Sequence, residues 1–161
     1  NLESPMIMAQ ALVPAMRERG GGHAVFISSL SGKVASPRSS VYNATKFGLR
    51  GFALALREDQ IVDRTGVGVS VVLPGFIRDA GMFADGGAKL PPGVGTGTPE
   101  QVGDAVVRAI EADRAEVVVA PPHMRALSGF AHAFPQLAAR TQRGAGAKVA
   151  DQLTRGNADK R

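Results

Sequence analysis

The chain of 161 residues is long enough for one domain, and its hydrophobic content of 44% is ordinary for a folded protein. It contains no cysteine, which excludes disulfides, thiolate metal sites and thiol catalysis and fits a reducing, cytoplasmic compartment. No apolar run reaches the roughly 18–20 residues of a membrane span. Of the net charge of +5, residues 136–161 carry +4. These residues include no aromatic side chain on which a base could stack, so they predict a flexible basic tail rather than a nucleic-acid site.

The first half of the chain alternates helix and strand signals. Residues 2–18 predict a helix, because apolar side chains recur at three- and four-residue spacing, with a bend or break at Pro14. The short apolar run 23–28 follows three glycines and predicts a buried strand. Residues 29–40, rich in Ser, Gly and Pro, predict a loop, and residues 40–62 predict a second helix.

The second half continues the same alternation. The valine-rich run 67–73 predicts a strand, and residues 76–97 form a long segment of the kind that often serves as a lid or binding loop. The sequence of residues 98–101 predicts a helix start with a capping box. Residues 116–120 predict a third strand, and residues 124–140 predict a last helix that is interrupted at Pro135.

This order of elements predicts an α/β fold with a parallel sheet and helices on both faces. We place the α/β unit at residues 1–135 and the basic tail at residues 136–161. In such sheets ligands bind at the carboxyl ends of the strands. Ser29 and Pro74 both follow predicted strands at such ends, so the candidate site lies there.

Tyr42 and Lys46 lie four residues apart in the second predicted helix, so their side chains should share one face. A nearby ammonium favours the phenolate form of a tyrosine, and the pair is therefore a candidate general acid or base for a substrate hydroxyl or carbonyl. A Tyr and a Lys at this spacing are more often a core-facing ring and a solvated charge. Whether the pair is catalytic or structural must therefore be judged from the residues around it.

The surrounding motifs resemble those of the C-terminal half of a short-chain dehydrogenase/reductase, over about residues 1–120. That family carries a Tyr-x-x-x-Lys motif, a Ser thirteen residues before the Tyr, an Asn in the preceding helix and a Pro-Gly-x-(Ile/Val) motif after the next strand. The matching residues here are Tyr42 and Lys46, Ser29, Asn1, and Pro74, Gly75 and Ile77. The resemblance implies a Rossmann-like, doubly wound parallel sheet in three αβα layers.

The resemblance also implies an oxidoreductase that uses NAD or NADP to interconvert an alcohol with a ketone or aldehyde. Tyr42 would give or take the proton of the substrate oxygen, Lys46 would assist Tyr42 and hold the nicotinamide ribose, and Ser29 would bind the substrate oxygen. Asn1 would hold a water that connects Lys46 to solvent. The family implies no metal.

Cofactor contacts are implied for Tyr42, Lys46, Pro74, Gly75 and Ile77, where the missing side chain of Gly75 would allow a close approach of the nicotinamide. The implied partners are a small-molecule substrate, with an apolar part bound near residues 76–92, and further copies of the chain in a homo-oligomer.

The sequence departs from the family pattern in two places. Asp79 stands where the family often has a Thr that contacts the cofactor. The family's glycine-rich phosphate-binding turn belongs upstream of Asn1, and neither residues 93–97 nor residues 144–146 follow a strand and open a helix as that turn does. An open sheet edge is also expected at the first strand, where the missing half should pair.

These departures leave alternatives open. A truncated, non-catalytic remnant of the family, without the half that binds the cofactor phosphates, is the main alternative to an enzyme. A binding module for nucleic acid or an acidic surface, acting through the basic tail, is the other. The three histidines show no ligand or triad spacing and predict structural roles.

Overall fold

The alternation of helices and strands is confirmed in the computed structural model, which describes residues 1–156. The helices are α1 (Glu3–Glu18), α2 (Ser40–Val62), α3 (Gly81–Gly86), α4 (Pro99–Glu111), α5 (Pro122–Ala133) and α6 (Pro135–Gly156). The strands are β1 (Gly22–Ile27), β2 (Val67–Pro74) and β3 (Glu116–Val119), and a single 3-10 turn spans Leu30–Gly32.

The three strands form one parallel sheet in the order β1-β2-β3. Ile27 at the end of β1 pairs with Val72, and Pro74 at the end of β2 pairs with Val119. The carboxyl ends of all three strands therefore meet at one edge. Within residues 1–156, β1 is paired on one side only, as expected for its open edge.

The central strand β2 is buried on both faces, which makes the fold a three-layer αβα sandwich. Residues 69, 71 and 73 pack against α1 and α2, whereas Val72 packs against Ala105 and Ala109 of α4. Because neither face meets water, β2 is apolar almost throughout instead of alternating with polar residues. The predicted fold class is thus confirmed.

The two crossovers have opposite hands. Both step in the same direction across the sheet, from β1 to β2 and from β2 to β3, yet α2 and α4 lie on opposite faces. About 98% of such parallel crossovers are right-handed, so one of these two is the exception. The long segment of residues 75–98 gives the second connection the length it needs to reach the far face.

Helix starts follow the sequence signals closely. The predicted capping box is confirmed, because Thr98 Oγ1 accepts the backbone N–H of Gln101 and Gln101 Oε1 accepts that of Thr98. Helix α1 runs through Pro14 without the break that was one of the two predicted outcomes. No helix in the described part of the chain combines the length and apolarity that a membrane span requires.

The C-terminal segment differs from the flexible tail predicted for residues 136–161. Residues 135–156 form α6, and Pro135 opens it at a position where a missing N–H costs nothing. Ala138, Val149 and Ala150 are buried, so small and β-branched side chains anchor this basic helix. The prediction for residues 157–161 lies outside the described residues.

A half-buried carboxylate joins three elements on one side of the sheet. Glu116, the first residue of β3, accepts hydrogen bonds from Lys33 Nζ at 2.6 Å and Arg50 Nε at 2.5 Å. Burial by itself raises the pKa of Glu116, but the hydrogen bonds and charges of Lys33 and Arg50 outweigh it and hold that pKa below its usual value. The carboxylate thus ties the loop after β1 and helix α2 to the edge of β3.

We expect Glu116→Gln to lower the free energy of unfolding at pH 7 by about 2 kcal/mol, because two charged hydrogen bonds lose their anionic acceptor. The folded pKa lies below the usual 4.5, so this contribution is complete above that pH and is lost as the pH falls through the lowered value. Urea unfolding from pH 7 to pH 3 should therefore show the two proteins converging in acid. Glu111→Gln, an exposed carboxylate at the end of α4, is the control, and a constant difference at every pH would contradict the assignment.

Candidate active site

The loop that follows β1 is clamped against the middle of α2. The buried Ser28 Oγ donates to the backbone carbonyl of Lys46 at 2.9 Å. Gly32 lies so close to the same helix turn that a Cβ there would be 2.6 Å from both the Lys46 carbonyl and Ser28 Oγ. Only a glycine fits this approach, and the contact brings the end of β1 beside Lys46.

The predicted pair is brought together on one face of α2. Lys46 Nζ lies 5.8 Å from the centroid of the Tyr42 ring, and the lysine is 8% exposed. The ammonium donates to the carbonyl of Ile27 at 3.2 Å. Because burial disfavours the charged form, the pKa of Lys46 is lowered from its usual value. A phenol and a desolvated ammonium thus lie next to the carboxyl end of β1.

Ser29 lies at this same strand end, two residues beyond the carbonyl that Lys46 binds. Its backbone is extended, and its side chain caps the 3-10 turn by accepting the N–H of Ser31 at 3.1 Å. Accepting this bond leaves the hydroxyl hydrogen free to be donated elsewhere. The half-buried hydroxyl can therefore bind an oxygen brought to the strand end.

The Pro74-Gly75 turn packs directly against the loop that holds Ser29. The Gly75 N–H donates to the Val119 carbonyl at 2.9 Å. A Cβ at Gly75 would lie 3.1 Å from Leu30 and 3.4 Å from Ala120, so the ends of β1, β2 and β3 converge at this point. Ile77 lies just beyond, in a single parallel bridge with Gly97.

Among the described contacts, none joins Asn1 to the point where the ends of the three strands meet. It is exposed and lines a shallow depression between α1 and α2 together with Met6 and Thr45. Leu2 packs against Gly48, where a Cβ would be 3.1 Å from the leucine side chain, and this fixes the start of α1 over α2. Thr45 precedes Lys46, but in the described residues no contact joins Asn1 to the ammonium, so the role of Asn1 stays a prediction.

The unusual Asp79 has a backbone explanation. Its φ of 69° is in the left-handed region, which Asp tolerates and a β-branched Thr does not. Arg78 Nε lies 3.4 Å from Asp79 Oδ2, so the neighbouring cation offsets the exposed negative charge.

Several residues that build the site carried little signal in the sequence. Ser28 is one of many serines around Ser29, and its clamp on α2 depends on Gly32, whose place in a Gly- and Ser-rich loop was the available hint. The histidines have structural contacts, as predicted: His23 bonds Ser70 at 2.7 Å, and His123 bonds the Gly93 carbonyl at 2.8 Å. In residues 1–156, no group of three or more potential ligand side chains could hold a metal ion.

Comparisons with known proteins agree with this arrangement. The family model described as short chain dehydrogenase matches residues 1–90. The ketoacyl reductase HetN of Nostoc sp. is 41% identical over 119 residues, which are 74% of this chain and 41% of that protein.

Two solved structures share the fold. A 4-hydroxyisoleucine dehydrogenase complexed with NADH gives a TM-score of 0.59 at 23% identity, over 73% of this chain and 53% of that one. A gluconate 5-dehydrogenase from Burkholderia cenocepacia in complex with NADP and tartrate gives 0.60 at 23% identity, over 74% and 51%. The chain thus spans about half the length of the proteins it matches.

We expect Gly32→Ala to separate the loop after β1 from α2, because the new methyl group would overlap the Lys46 carbonyl. The thermal midpoint should fall by several degrees, since such a clash costs about 1–3 kcal/mol. Gly51→Ala is the matched control on α2, where a Cβ meets nothing within 4 Å, and it should stabilise the helix by about 1 kcal/mol. Equal midpoints for the two variants would show that the clamp is absent in solution.

Proposed function

The chain belongs to the short-chain dehydrogenase family, and from this premise we propose that it forms the catalytic part of an NAD(P)-dependent oxidoreductase that interconverts an alcohol with a ketone or aldehyde. One observation carries the proposal: a buried ammonium lies 5.8 Å from the ring of Tyr42 at the carboxyl end of a parallel sheet. Burying a lysine there is costly for stability, and such groups concentrate at functional sites.

Tyr42 is the proton donor and acceptor in this proposal. Its half-buried ring projects from the first turns of α2, on the face that Lys46 shares. In the direction of reduction, its hydroxyl gives a proton to the substrate oxygen, and in the direction of oxidation the phenolate takes that proton back. In this proposal Lys46, whose Nζ lies 5.8 Å from the Tyr42 ring centroid, assists the proton transfer through its positive charge.

Lys46 also suits the sugar of a nicotinamide cofactor. Among the described residues, its hydrogen bonds use one of three N–H groups, so donors are left for the ribose hydroxyls. The cofactor supplies the hydride chemistry, and the protein orients it. Relatives in the family have been solved with NADH and with NADP, which supports either nucleotide here.

The remaining site residues have supporting roles. Ser29 donates its hydroxyl hydrogen to the substrate oxygen and stabilises the charge that develops on it. Pro74 and Gly75, which pack beside Leu30, would contact the nicotinamide, as would Ile77 just beyond them. Asn1, near Thr45 at the start of α1, holds water on the solvent side of Lys46.

Apolar side chains support the proposed substrate and assembly. The rings of Phe76 and Phe83 are half-buried, with centroids 5.2 Å apart in the segment after β2, and they favour a small-molecule substrate with an apolar part. Helices α1 and α2 leave apolar side chains exposed, including Ile7, Met8 and Val41. Self-association of the chain through these helices would cover them, and we propose a homo-oligomer in the cytoplasm.

We expect Tyr42→Phe to lower kcat by a factor of about 10²–10⁴, the usual contribution of a positioned general acid, while the Kd for the nucleotide changes less than about threefold. The measurement uses the chain with any residues that its gene encodes before Asn1, assayed with a panel of small ketones. Glu58→Gln, an exposed residue further along α2, is the control. Turnover by the Phe variant at the unsubstituted rate would disprove the role of Tyr42.

The alternative is a remnant that cannot bind cofactor. In the described residues, the positions of two glycine clusters favour it. Residues 93–97 precede α4 without following a strand, and Gly144 and Gly146 lie inside α6, so neither cluster offers a phosphate cradle. Neither cluster therefore explains how the chain would hold the cofactor phosphates.

We therefore expect fluorescence titration with NADH or NADPH to give no saturable binding to the 161-residue chain below about 1 mM. The form with any residues encoded before Asn1 should bind with a Kd in the micromolar range that is common for enzyme ligands. Saturable binding by the shorter chain would eliminate the remnant. Failure of the longer form to bind would instead support the remnant and overturn the enzyme.

A further inference from the structure

Two loops border the candidate active site. Loop A, residues 33–39, connects the turn after Ser29 to the helix that carries Tyr42. Loop B, residues 76–97, follows Pro74-Gly75 and contains α3. A substrate at the carboxyl ends of β1 and β2 would have one loop after each strand beside it, so the relative position of the two loops would shape its pocket.

Helices α5 and α6 both contact loop A. The carbonyl of Lys33 lies 3.4 Å from His132 Nδ1 at the end of α5. Pro37 lies beside Gly146 of α6, where an added Cβ would be in van der Waals contact at 3.7 Å. One residue further on, Arg38 NH1 donates to both carboxylate oxygens of Asp151, at 2.5 and 2.6 Å. Loop A is thus contacted along most of its length.

The same two helices contact loop B. His123 Nε2 at the start of α5 bonds the Gly93 carbonyl at 2.8 Å. Gln152 Oε1 of α6 accepts the backbone N–H of Lys89 at 2.9 Å. Helix α6 also packs against α3, which lies within loop B. Each loop is therefore contacted by both helices.

Two of these contacts come from neighbouring residues of α6. Asp151 binds loop A and Gln152 binds loop B, so a single turn of α6 contacts both. Asp151 is the only acidic residue between positions 135 and 156, in a helix otherwise basic, and it is paired with Arg38. Arg38 itself has a φ of 60°, a left-handed conformation that is unfavourable for arginine and persists where other contacts fix it.

We propose that α6 holds loops A and B in one relative position across the candidate active site, and that Asp151 and Gln152 are positioning residues for the substrate. The pocket-shaping role rests on the proposed function, whereas the mechanical coupling of the loops does not. Neither residue touches the reacting groups. They keep loop A, which leads into the helix of Tyr42, at a fixed separation from loop B, which bears Phe76 and Phe83.

The coupling can be measured without any activity, by hydrogen–deuterium exchange of the unliganded protein. An exposed ion pair of this kind changes a local opening equilibrium by up to about fivefold. In Asp151→Asn, amides of residues 34–39 should therefore exchange roughly threefold to fivefold faster. Because the helix links the loops, amides of residues 87–94 should also become faster, and Gln152→Ala should show the reciprocal effect in loop A. Arg143→Gln, an exposed residue of α6, should change neither loop.

The double substitution Arg38→Asp with Asp151→Arg restores the pair with reversed charges and should return both loops to slow exchange. This variant also separates loss of the contact from misfolding. If Asp151→Asn accelerates loop A alone, or accelerates nothing, the coupling is wrong.

Kinetics then test the consequence for the substrate. With the chain extended by any residues encoded before Asn1, Asp151→Asn should raise KM for bulky ketones several-fold while kcat changes less than twofold. A several-fold loss of kcat with an unchanged KM would refute the positioning role. If no form of the protein turns over ketones, the proposed function fails, and the exchange result still decides whether α6 couples the loops.

Discussion

The buried ammonium of Lys46 is the interaction on which the rest of the site depends. Its partner is the carbonyl of Ile27 at the last position of β1, so the charge fixes α2 to the strand end. Ser28 and Gly32 contact the same helix turn through the backbone carbonyl of Lys46. Removing a cation from water is expensive, and the hydrogen bond to the Ile27 carbonyl offsets part of that cost.

The layered core explains why this strand end is rigid enough to carry chemistry. The central strand has no face exposed to solvent, and its neighbours are joined to it in parallel by complete ladders of hydrogen bonds. Glu116 adds a polar tie between β3, α2 and the loop after β1. The reactive side chains therefore project from a framework that packing holds in place, while the flanking loops keep contacts that are mostly polar and close to the surface.

Much of the fold could be predicted from the sequence because its signals are local. The valine-rich run of β2, the capping box at Thr98 and the spacing of Tyr42 and Lys46 each depend on a few consecutive residues. The clamp at Gly32 could not be predicted, because the reason for that glycine is a backbone carbonyl fourteen residues away. Helix α6 was missed for a similar reason. Its composition is polar and includes three glycines, and its stability comes from packing on α3 and from a contact with Arg38, which no short window of sequence contains.

The parallel sheet also sets the order of events when the chain folds. Residue 27 ends β1 and residue 67 begins β2, and a gap of similar length separates β2 from β3. Neither pair can close as a hairpin, so the sheet must wait for slow encounters between distant segments. Helix α2 spans 23 residues and is built from local hydrogen bonds, so Tyr42 and Lys46 need no strand pairing to share one face. Ser29 and Pro74, by contrast, reach the site only when the distant strands pair.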